Sequence, residues 1–168
     1  TPEFYRNSYA YQDGKGVMAA VMKAKEYVEA GKHYVVEIDL KNYFDTISLE
    51  KLIPKIEKYI SDEAVIYLIR QYLFCDIRFE GKITRKTKGI IQGNSISPVL
   101  SNLYLNDFDQ ILDVRNLCWL RYADNVYVYM DSYEEALCLY NEVIQLLEER
   151  ELLVNKEKSG VFDVNTRT

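Results

Sequence analysis

The sequence predicts an α+β domain in which an antiparallel sheet carries helices packed on one face. Its 168 residues are 48% hydrophobic, which is enough for one buried core. Helical and hairpin patterns are interspersed along the chain, without the strict alternation that is typical of a parallel sheet. No apolar run is long enough to span a membrane, so no membrane partner is expected.

The first two predicted elements are a helix and a strand. Residues 17–30 predict a helix, because apolar side chains recur at three- and four-residue spacing and Gly31 supplies a C-terminal stop. The segment "HYVVEIDL" (33–40) is rich in β-branched residues and predicts a strand, with Glu37 and Asp39 on one face. Acids within an apolar strand are costly to bury unless they pair or bind a metal.

Two helices and a hairpin are predicted next. Ser48 and Ser61 are expected to cap the helices, and Pro54 is expected to kink or split the first one. The second helix has an expected apolar stripe of Val65, Leu68, Ile69 and Tyr72. Alternating polar and apolar residues around Glu80–Gly81 predict a hairpin with a basic outward face. That basic cluster consists of Arg78, Lys82, Arg85, Lys86 and Lys88.

The last part of the chain repeats the mixture of helices and strands. Ser97–Pro98 is expected to open a helix that ends at about Leu112. Two short strands follow, joined by a tight turn at 123–125. Ser132 begins a capping box for a helix that extends to about Arg150, and "LLVN" and "SGVFDV" predict two closing strands.

Charge and rare residues exclude several classes of protein. The chain has 21 Lys+Arg and 26 Asp+Glu, and the resulting net charge of −5 argues against a freestanding basic nucleic-acid-binding domain. A single histidine, His33, excludes a multi-histidine metal site. The cysteines Cys75, Cys118 and Cys138 form no C-x-x-C pair, which indicates neither a disulfide framework nor a zinc site and favours a reducing, cytoplasmic location.

Two acids occupy positions where sheet geometry can bring them together. Asp39 lies near the end of one predicted strand, and Asp124 lies in the turn between two others. Oxygen ligands of this kind suit Mg²⁺, and a pair of such ions can assist phosphoryl transfer. The spacing alone leaves a second interpretation open, in which Asp39 bonds a neighbouring amide and Asp124 only forms the turn.

The segments "EIDLKNYFDTI", "KGIIQGNSISPVLSNLYLNDFD" and "RYADN" occur in this order along the chain, and together they resemble motifs of bacterial reverse transcriptases of the group II intron and retron lineage. "EIDLKNYFDTI" (37–47) is similar to the first aspartate motif, and "KGIIQGNSISPVLSNLYLNDFD" (88–109) to the glutamine-glycine and helix motif. "RYADN" (121–125) is similar to the Tyr-Ala-Asp-Asp hairpin. Weaker matches are "SYAYQDGKG" (8–16), which resembles a fingers motif, and "LLVNKEKSGVF" (152–162), which resembles the palm segment with a Lys-Thr pair.

The resemblance implies a polymerase palm with part of the fingers. Residues 1–35 are expected to be partial fingers and residues 36–168 the palm, with a fingers hairpin at about 75–90. The thumb is expected to lie outside this chain. A nucleotide cyclase is a further palm enzyme, but its Gly-Gly-Asp/Glu-Glu-Phe hairpin does not occur.

The resemblance also implies the residues that bind metal and transfer protons. Asp39 and Asp124 match the principal metal-binding aspartates. The backbone carbonyl of Leu40 and the side chain of Asn125 complete the expected metal set. Lys158 matches a palm lysine proposed to donate a proton to the departing pyrophosphate.

Nucleotide contacts are implied in the same way. Phe44 matches the aromatic residue that lies under the sugar and rejects a 2′-hydroxyl, although on composition alone it is equally a core phenylalanine. Gln92 and Gly93 match the pair that borders the nucleotide site, and Lys15 is expected to approach the triphosphate. Residues 121–123 are expected to support the hairpin. The full predicted nucleotide-binding set is Leu40, Phe44, Gln92, Gly93 and Lys15.

The activity implied is RNA-directed DNA synthesis with two Mg²⁺ ions, or Mn²⁺ in their place. The expected partners are an RNA template, a DNA primer, a dNTP, and flanking thumb and N-terminal fingers regions. Asn125 replaces the usual second aspartate, Ile91 the usual proline, and Gln12–Asp13 the usual Arg-Pro. These departures leave an alternative open, a catalytically weakened palm-like scaffold or nucleic-acid-binding module of a mobile-element or defence system. By itself, this chain is expected to be weak or inactive and to bind duplex poorly.

Overall fold

The computed structural model describes residues 4–84 and 86–166. Its elements, in chain order, are α1 (Val17–Glu29), β1 (Tyr34–Asp39), α2 (Tyr43–Thr46), α3 (Leu49–Glu57), α4 (Glu63–Leu73), β2 (Ile77–Phe79), β3 (Lys82–Thr84), α5 (Ser97–Val114), β4 (Cys118–Tyr122), β5 (Asn125–Met130), α6 (Tyr133–Glu148) and β6 (Gly160–Asp163). The main sheet has the order β4-β5-β1-β6 with antiparallel neighbours throughout, and β2 and β3 form a separate hairpin. The predicted α+β fold with an antiparallel sheet is confirmed.

The two faces of the main sheet are covered differently. On one face, Val36 and Ile38 belong to a large core that includes buried residues of α3, α5 and α6. On the other face, Val35 and Tyr129 pack against α1 in a smaller cluster. Because side chains alternate along β1, Asp39 shares the face of Val35. The helices after β1 therefore pack on one face, as predicted, and among the helices of the described residues α1, from the predicted fingers segment, is the one that covers the acidic face.

The predicted start of α4 is wrong by one residue. Asp62, and not Ser61, is the N-cap: its carboxylate accepts from the N–H groups of Ala64 at 2.9 Å and Val65 at 3.2 Å. The predicted apolar stripe is also incorrect in part, because α4 turns Leu68 outward with 65% of its surface exposed. The buried side chains of this helix are Ile69 and Leu73.

Two further predictions are wrong, and of the two effects predicted for Pro54 one is excluded. Pro54 does not split α3, whose buried apolar residues on both sides of the proline hold one continuous helix against the core. The segment "LLVN" forms no strand and makes only an isolated bridge between Leu40 and Val154. Ser97 is the first residue of α5 rather than its cap. The cap at Ser132 is confirmed, since its side chain accepts from the Glu135 N–H at 3.2 Å.

The described residues contain no helix both long and apolar enough to cross a membrane.

Candidate active site

A tight hairpin turn presents the first acid. Tyr122 pairs with Asn125 across β4 and β5, so that only Ala123 and Asp124 form the connection. Ala123 has a positive φ of 56°, which a two-residue turn of this kind requires. Asn125 was expected in the turn, but it is the first residue of β5.

The strand register brings the second acid to the same place. Asp39, the last residue of β1, is the direct partner of Asn125 in β5. Directly opposite residues of an antiparallel pair have their side chains on the same face and in mutual reach. Asp39, Asn125 and the neighbouring Asp124 therefore gather at one end of the sheet, as strand spacing had suggested.

The two carboxylates influence each other electrostatically. Burial raises the pKa of Asp124; its own backbone N–H opposes this, and the charge of Asp39 raises the pKa further. Lys158 and then Arg121 lower it by smaller amounts. Two partly buried carboxylates that repel each other form a donor set suited to a hard divalent cation. Within the described ranges no group of three His, Cys, Asp or Glu residues gathers, so a cation here would also need amide, backbone or water oxygens.

A turn near the C-terminus holds the backbone of Asp39. The Asp39 N–H donates to Ser159 Oγ at 2.9 Å, and the Asn155 N–H donates to the Asp39 carbonyl at 2.8 Å. The same turn carries Lys158, an exposed side chain whose charge acts on Asp124. Ser159 was not singled out from the sequence, although it occupies the threonine position of the matched Lys-Thr pair.

The predicted nucleotide residues lie on two connected segments. Phe44 is half-buried in α2, with its ring centroid 5.6 Å from that of Tyr43. The Ile90 N–H donates to the Phe44 carbonyl at 2.8 Å, which fixes the start of the loop that carries Gln92 and Gly93. Gln92 and Gly93 are both exposed. The structure thus joins the Phe44 segment to the Gln-Gly loop.

Lys15, which was predicted to approach the triphosphate, is bound to the backbone of the N-terminal segment. Its ammonium group donates to three backbone carbonyls, those of Tyr5 at 3.3 Å, Arg6 at 3.0 Å and Ser8 at 2.9 Å. Burial lowers the pKa of Lys15, and the charge of Arg121 lowers it further. The three ammonium protons thus all have acceptors within the chain, and these hydrogen bonds stabilise the N-terminal segment.

A buried ion pair supports the turn that carries Asp124. Arg121 and Asp109 are both fully buried and joined by two hydrogen bonds, Nε to Oδ1 at 2.8 Å and Nη2 to Oδ2 at 2.6 Å. Nη1 of Arg121 also donates to the Asn102 side chain at 2.9 Å and to the Ala123 carbonyl at 2.8 Å. Burial by itself would lower the pKa of Arg121, but the Asp109 carboxylate raises it. Asp109 was not predicted as a functional position, although an acid within the apolar pattern of α5 was a signal.

The fold and the two neighbouring aspartates together define a class of protein. A four-stranded antiparallel sheet that joins an aspartate at a strand end to an aspartate in a hairpin turn is the arrangement of a polymerase palm. The model of the reverse transcriptase (RNA-dependent DNA polymerase) family matches residues 2–167. The chain belongs to this family.

Relatives of known sequence agree with this assignment. The chain is 32% identical to Protein YkfC of Escherichia coli over 68% of this chain and 31% of that protein. It is 26% identical to the group II intron-encoded protein LtrA of Lactococcus lactis over 96% of this chain and 26% of that protein. The chain thus spans less than a third of these relatives.

Solved structures of low sequence identity share the fold. Telomerase from Candida albicans, in complex with a fragment of telomeric RNA, has a TM-score of 0.71 at 14% identity, over 97% of this chain and 33% of that one. Apo telomerase from Candida tropicalis, truncated from its C-terminal domain, has a TM-score of 0.66 at 16% identity, over 97% and 37%. Each likeness covers almost the entire chain, so the fold is shared over both its N- and C-terminal parts.

Proposed function

We propose that the protein containing this chain is an RNA-directed DNA polymerase, in which a primer 3′-hydroxyl attacks the α-phosphate of a dNTP. The observation that supports this most is the β1–β5 register, in which Asp39 faces Asn125 beside the Asp124 turn. Family membership supplies the reaction class, and the paired acids supply a site for it.

Four groups of this chain would hold the cations: the carboxylates of Asp39 and Asp124, the Leu40 carbonyl, and the amide oxygen of Asn125. Mg²⁺ is the expected ion, with Mn²⁺ as a substitute. When bound, two such ions promote phosphoryl transfer by activating the attacking oxygen and stabilising the leaving one. The repulsion between Asp39 and Asp124 supports this assignment, because a cation between them would remove it.

The remaining predicted residues act on the nucleotide. Phe44 lies under the sugar and excludes a 2′-hydroxyl, while Gln92 and Gly93 border the nucleotide. Lys158 donates a proton to the departing pyrophosphate, and its position beside Asp124 supports this role. Lys15 is left out of this set because its ammonium group is engaged by backbone carbonyls.

The proposed partners are an RNA template, a DNA primer and a dNTP. Residues 1–35 would belong to the fingers and residues 36–168 to the palm, with a thumb and further fingers supplied by other parts of the protein. Its proposed location is the cytoplasm.

Primer extension by the full-length protein tests this function. Asp39→Asn and Asp124→Asn should each reduce extension of a DNA primer on an RNA template by at least about 100-fold, because each replaces a charged cation ligand with a neutral amide that coordinates more weakly. Asp131→Asn is the matched control, since Asp131 follows the opposite end of β5 and is 65% exposed. Undiminished extension by either active-site variant would refute the assignment.

Asn125 supports a second candidate, a palm that serves as a scaffold after losing activity. A neutral amide coordinates a cation more weakly than a carboxylate does. Asn125→Asp in the full-length protein distinguishes the two: a small change in an already active enzyme supports the polymerase, and a large gain from no activity supports the scaffold.

A further inference from the structure

The N-terminal segment lies along the edge of the main sheet and is fastened to it. The Arg121 N–H donates to the Asn7 carbonyl at 2.9 Å, and the Tyr9 N–H donates to the Arg121 carbonyl at 2.9 Å. Ser8 forms a parallel bridge with Arg121 and is fully buried. The segment is therefore part of the structural support of β4, the strand that leads into the turn at Ala123 and Asp124, which under the proposed function is the catalytic turn.

Two buried side chains connect this segment to the catalytic turn. Asn102 Nδ2 donates to the Ala10 carbonyl at 2.8 Å, and Asn102 Oδ1 accepts from Arg121 Nη1 at 2.9 Å. The same Nη1 donates to the Ala123 carbonyl at 2.8 Å. Tyr11 directly follows Ala10, just as Asp124 directly follows Ala123. The side chains of Asn102 and Arg121 thus hold both Ala10, the residue before Tyr11, and Ala123, the residue before Asp124.

Tyr11 is held in an unfavourable conformation with its side chain half in solvent. Its φ is +59°, in the left-handed region that a non-glycine residue rarely adopts, whereas its side chain is 50% exposed. Ala10 before it is buried, and Gln12 after it donates from Nε2 to the Ser8 carbonyl at 2.7 Å. The surroundings therefore impose this conformation, and strained residues of this kind concentrate at functional sites.

The electrostatic effects on Tyr11 agree with a position beside Asp124, the proposed catalytic acid. Burial raises the pKa of Tyr11, and the charges of Asp124 and then Tyr122 raise it further. Phosphate groups would be repelled by Asp39 and Asp124 where no cation intervenes. An uncharged aromatic ring suits the remaining part of a nucleotide, its sugar and base.

We propose that Tyr11 is a substrate-contacting residue of the active site, with its ring packed against the nucleoside at the reacting end. This inference rests on the proposed polymerase function. The nucleoside belongs either to the primer terminus or to the incoming dNTP, and both present the same sugar and base chemistry.

Steady-state kinetics and binding with the full-length protein distinguish these sources. Tyr11→Ala should raise the KM for dNTP or the Kd for primer–template by about tenfold, with kcat changed less than about threefold. A rise in KM identifies the dNTP, and a rise in Kd identifies the primer. Tyr11→Phe should stay within about twofold of the native protein, because it keeps the ring. Tyr133→Ala is the control, since Tyr133 is 46% exposed and lies beyond the opposite end of β5.

Three results would overturn the inference: both constants within about twofold for Tyr11→Ala, an equal loss in Tyr133→Ala, or a loss in Tyr11→Phe as large as in Tyr11→Ala. Tyr11→Gly provides the same readout if the alanine variant does not fold, because glycine accepts the positive φ. The failure of the proposed function has a separate signature, namely primer extension that persists in Asp124→Asn.

Discussion

At the scale of single residues, Asp124 shows how the site and the stability of the fold are linked. It is half-buried next to Asp39, and both burial and that neighbouring charge raise its pKa. A raised pKa means that, without a bound cation, the ionised carboxylate is less favourable in the folded chain than in the unfolded one. The proposed site therefore carries a stability cost.

Asp124→Asn should raise the melting temperature of the chain at neutral pH in the absence of divalent ions. The folded state of the native chain binds more protons than the unfolded state between the ordinary and the raised pKa of Asp124. The advantage of the variant should therefore shrink as pH falls through the raised pKa. Thermal unfolding across a pH series measures this difference, and added Mg²⁺ should narrow it at neutral pH. A variant less stable than the native chain at neutral pH would contradict the expectation.

The buried charge of Arg121 is neutralised by its partner, Asp109. Arg121→Met should destabilise the chain by about 3–5 kcal/mol, because Asp109 is left buried and unpaired. The double variant Arg121→Met/Asp109→Leu is the control and should recover a large part of the loss. Urea unfolding measures both free energies. A single variant that costs less than about 1 kcal/mol would show that Asp109 finds another partner or water.

At the scale of elements, a glycine controls how the loop before α5 meets α2. Gly89 has a φ of +85°, and its N–H donates to the Ile47 carbonyl at 2.7 Å. A Cβ at this position would lie 3.0 Å from the backbone oxygen of Asp45. Gly93 has a similar φ of +81° but open space around it. An alanine at Gly93 therefore tests the cost of the positive φ alone, whereas an alanine at Gly89 tests that cost together with a steric contact.

Gly89→Ala should be more destabilising than Gly93→Ala. The Gly93 variant should cost about 1–2 kcal/mol from the left-handed backbone alone. The Gly89 variant adds a contact with backbone that cannot rotate away, and it should also loosen the Phe44 segment. Urea unfolding of both variants measures the difference. Equal losses would indicate that the Asp45 backbone moves without cost.

Helix α4 provides a second comparison at this scale. Asp62→Ala should cost about 1 kcal/mol, because two N–H groups of the first turn lose their acceptor. Ser61→Ala should leave stability almost unchanged, since Asp62, not Ser61, caps this helix. Chemical denaturation of the two variants tests the assignment, and it would be refuted if Ser61→Ala were the more harmful change.

At the scale of the whole molecule, charge limits the affinity for nucleic acid. The chain carries a net charge of −5, and Lys88 of the basic cluster is paired with Glu151 at 2.8 Å. The 168-residue chain should therefore bind an RNA–DNA duplex with a Kd weaker than about 1 μM even at low salt. A fluorescence anisotropy titration measures this affinity. Submicromolar binding would contradict this expectation.

Much of the fold followed from local patterns. The spacing of apolar residues predicted α1, β1 and the β2–β3 hairpin with nearly correct limits, because the 3.6-residue period of a helix and the two-residue period of a strand are properties of short segments. Helix ends were less predictable, because adjacent polar residues compete for the same N–H groups. At the start of α4, for example, Asp62 is the N-cap and not the predicted Ser61. The face that α4 buries also depended on neighbours distant in sequence.

The sequence by itself determined the family of this protein, since ordered motifs around Asp39, Gln92 and Asp124 are readable without coordinates. Only the tertiary structure decided which partners these segments have: that Asp39 faces Asn125, that Lys15 binds carbonyls, and that Asn102 donates to the carbonyl of Ala10. The physical reason is that a buried polar group must find a partner, and the fold, rather than the adjacent sequence, determines which one is within reach.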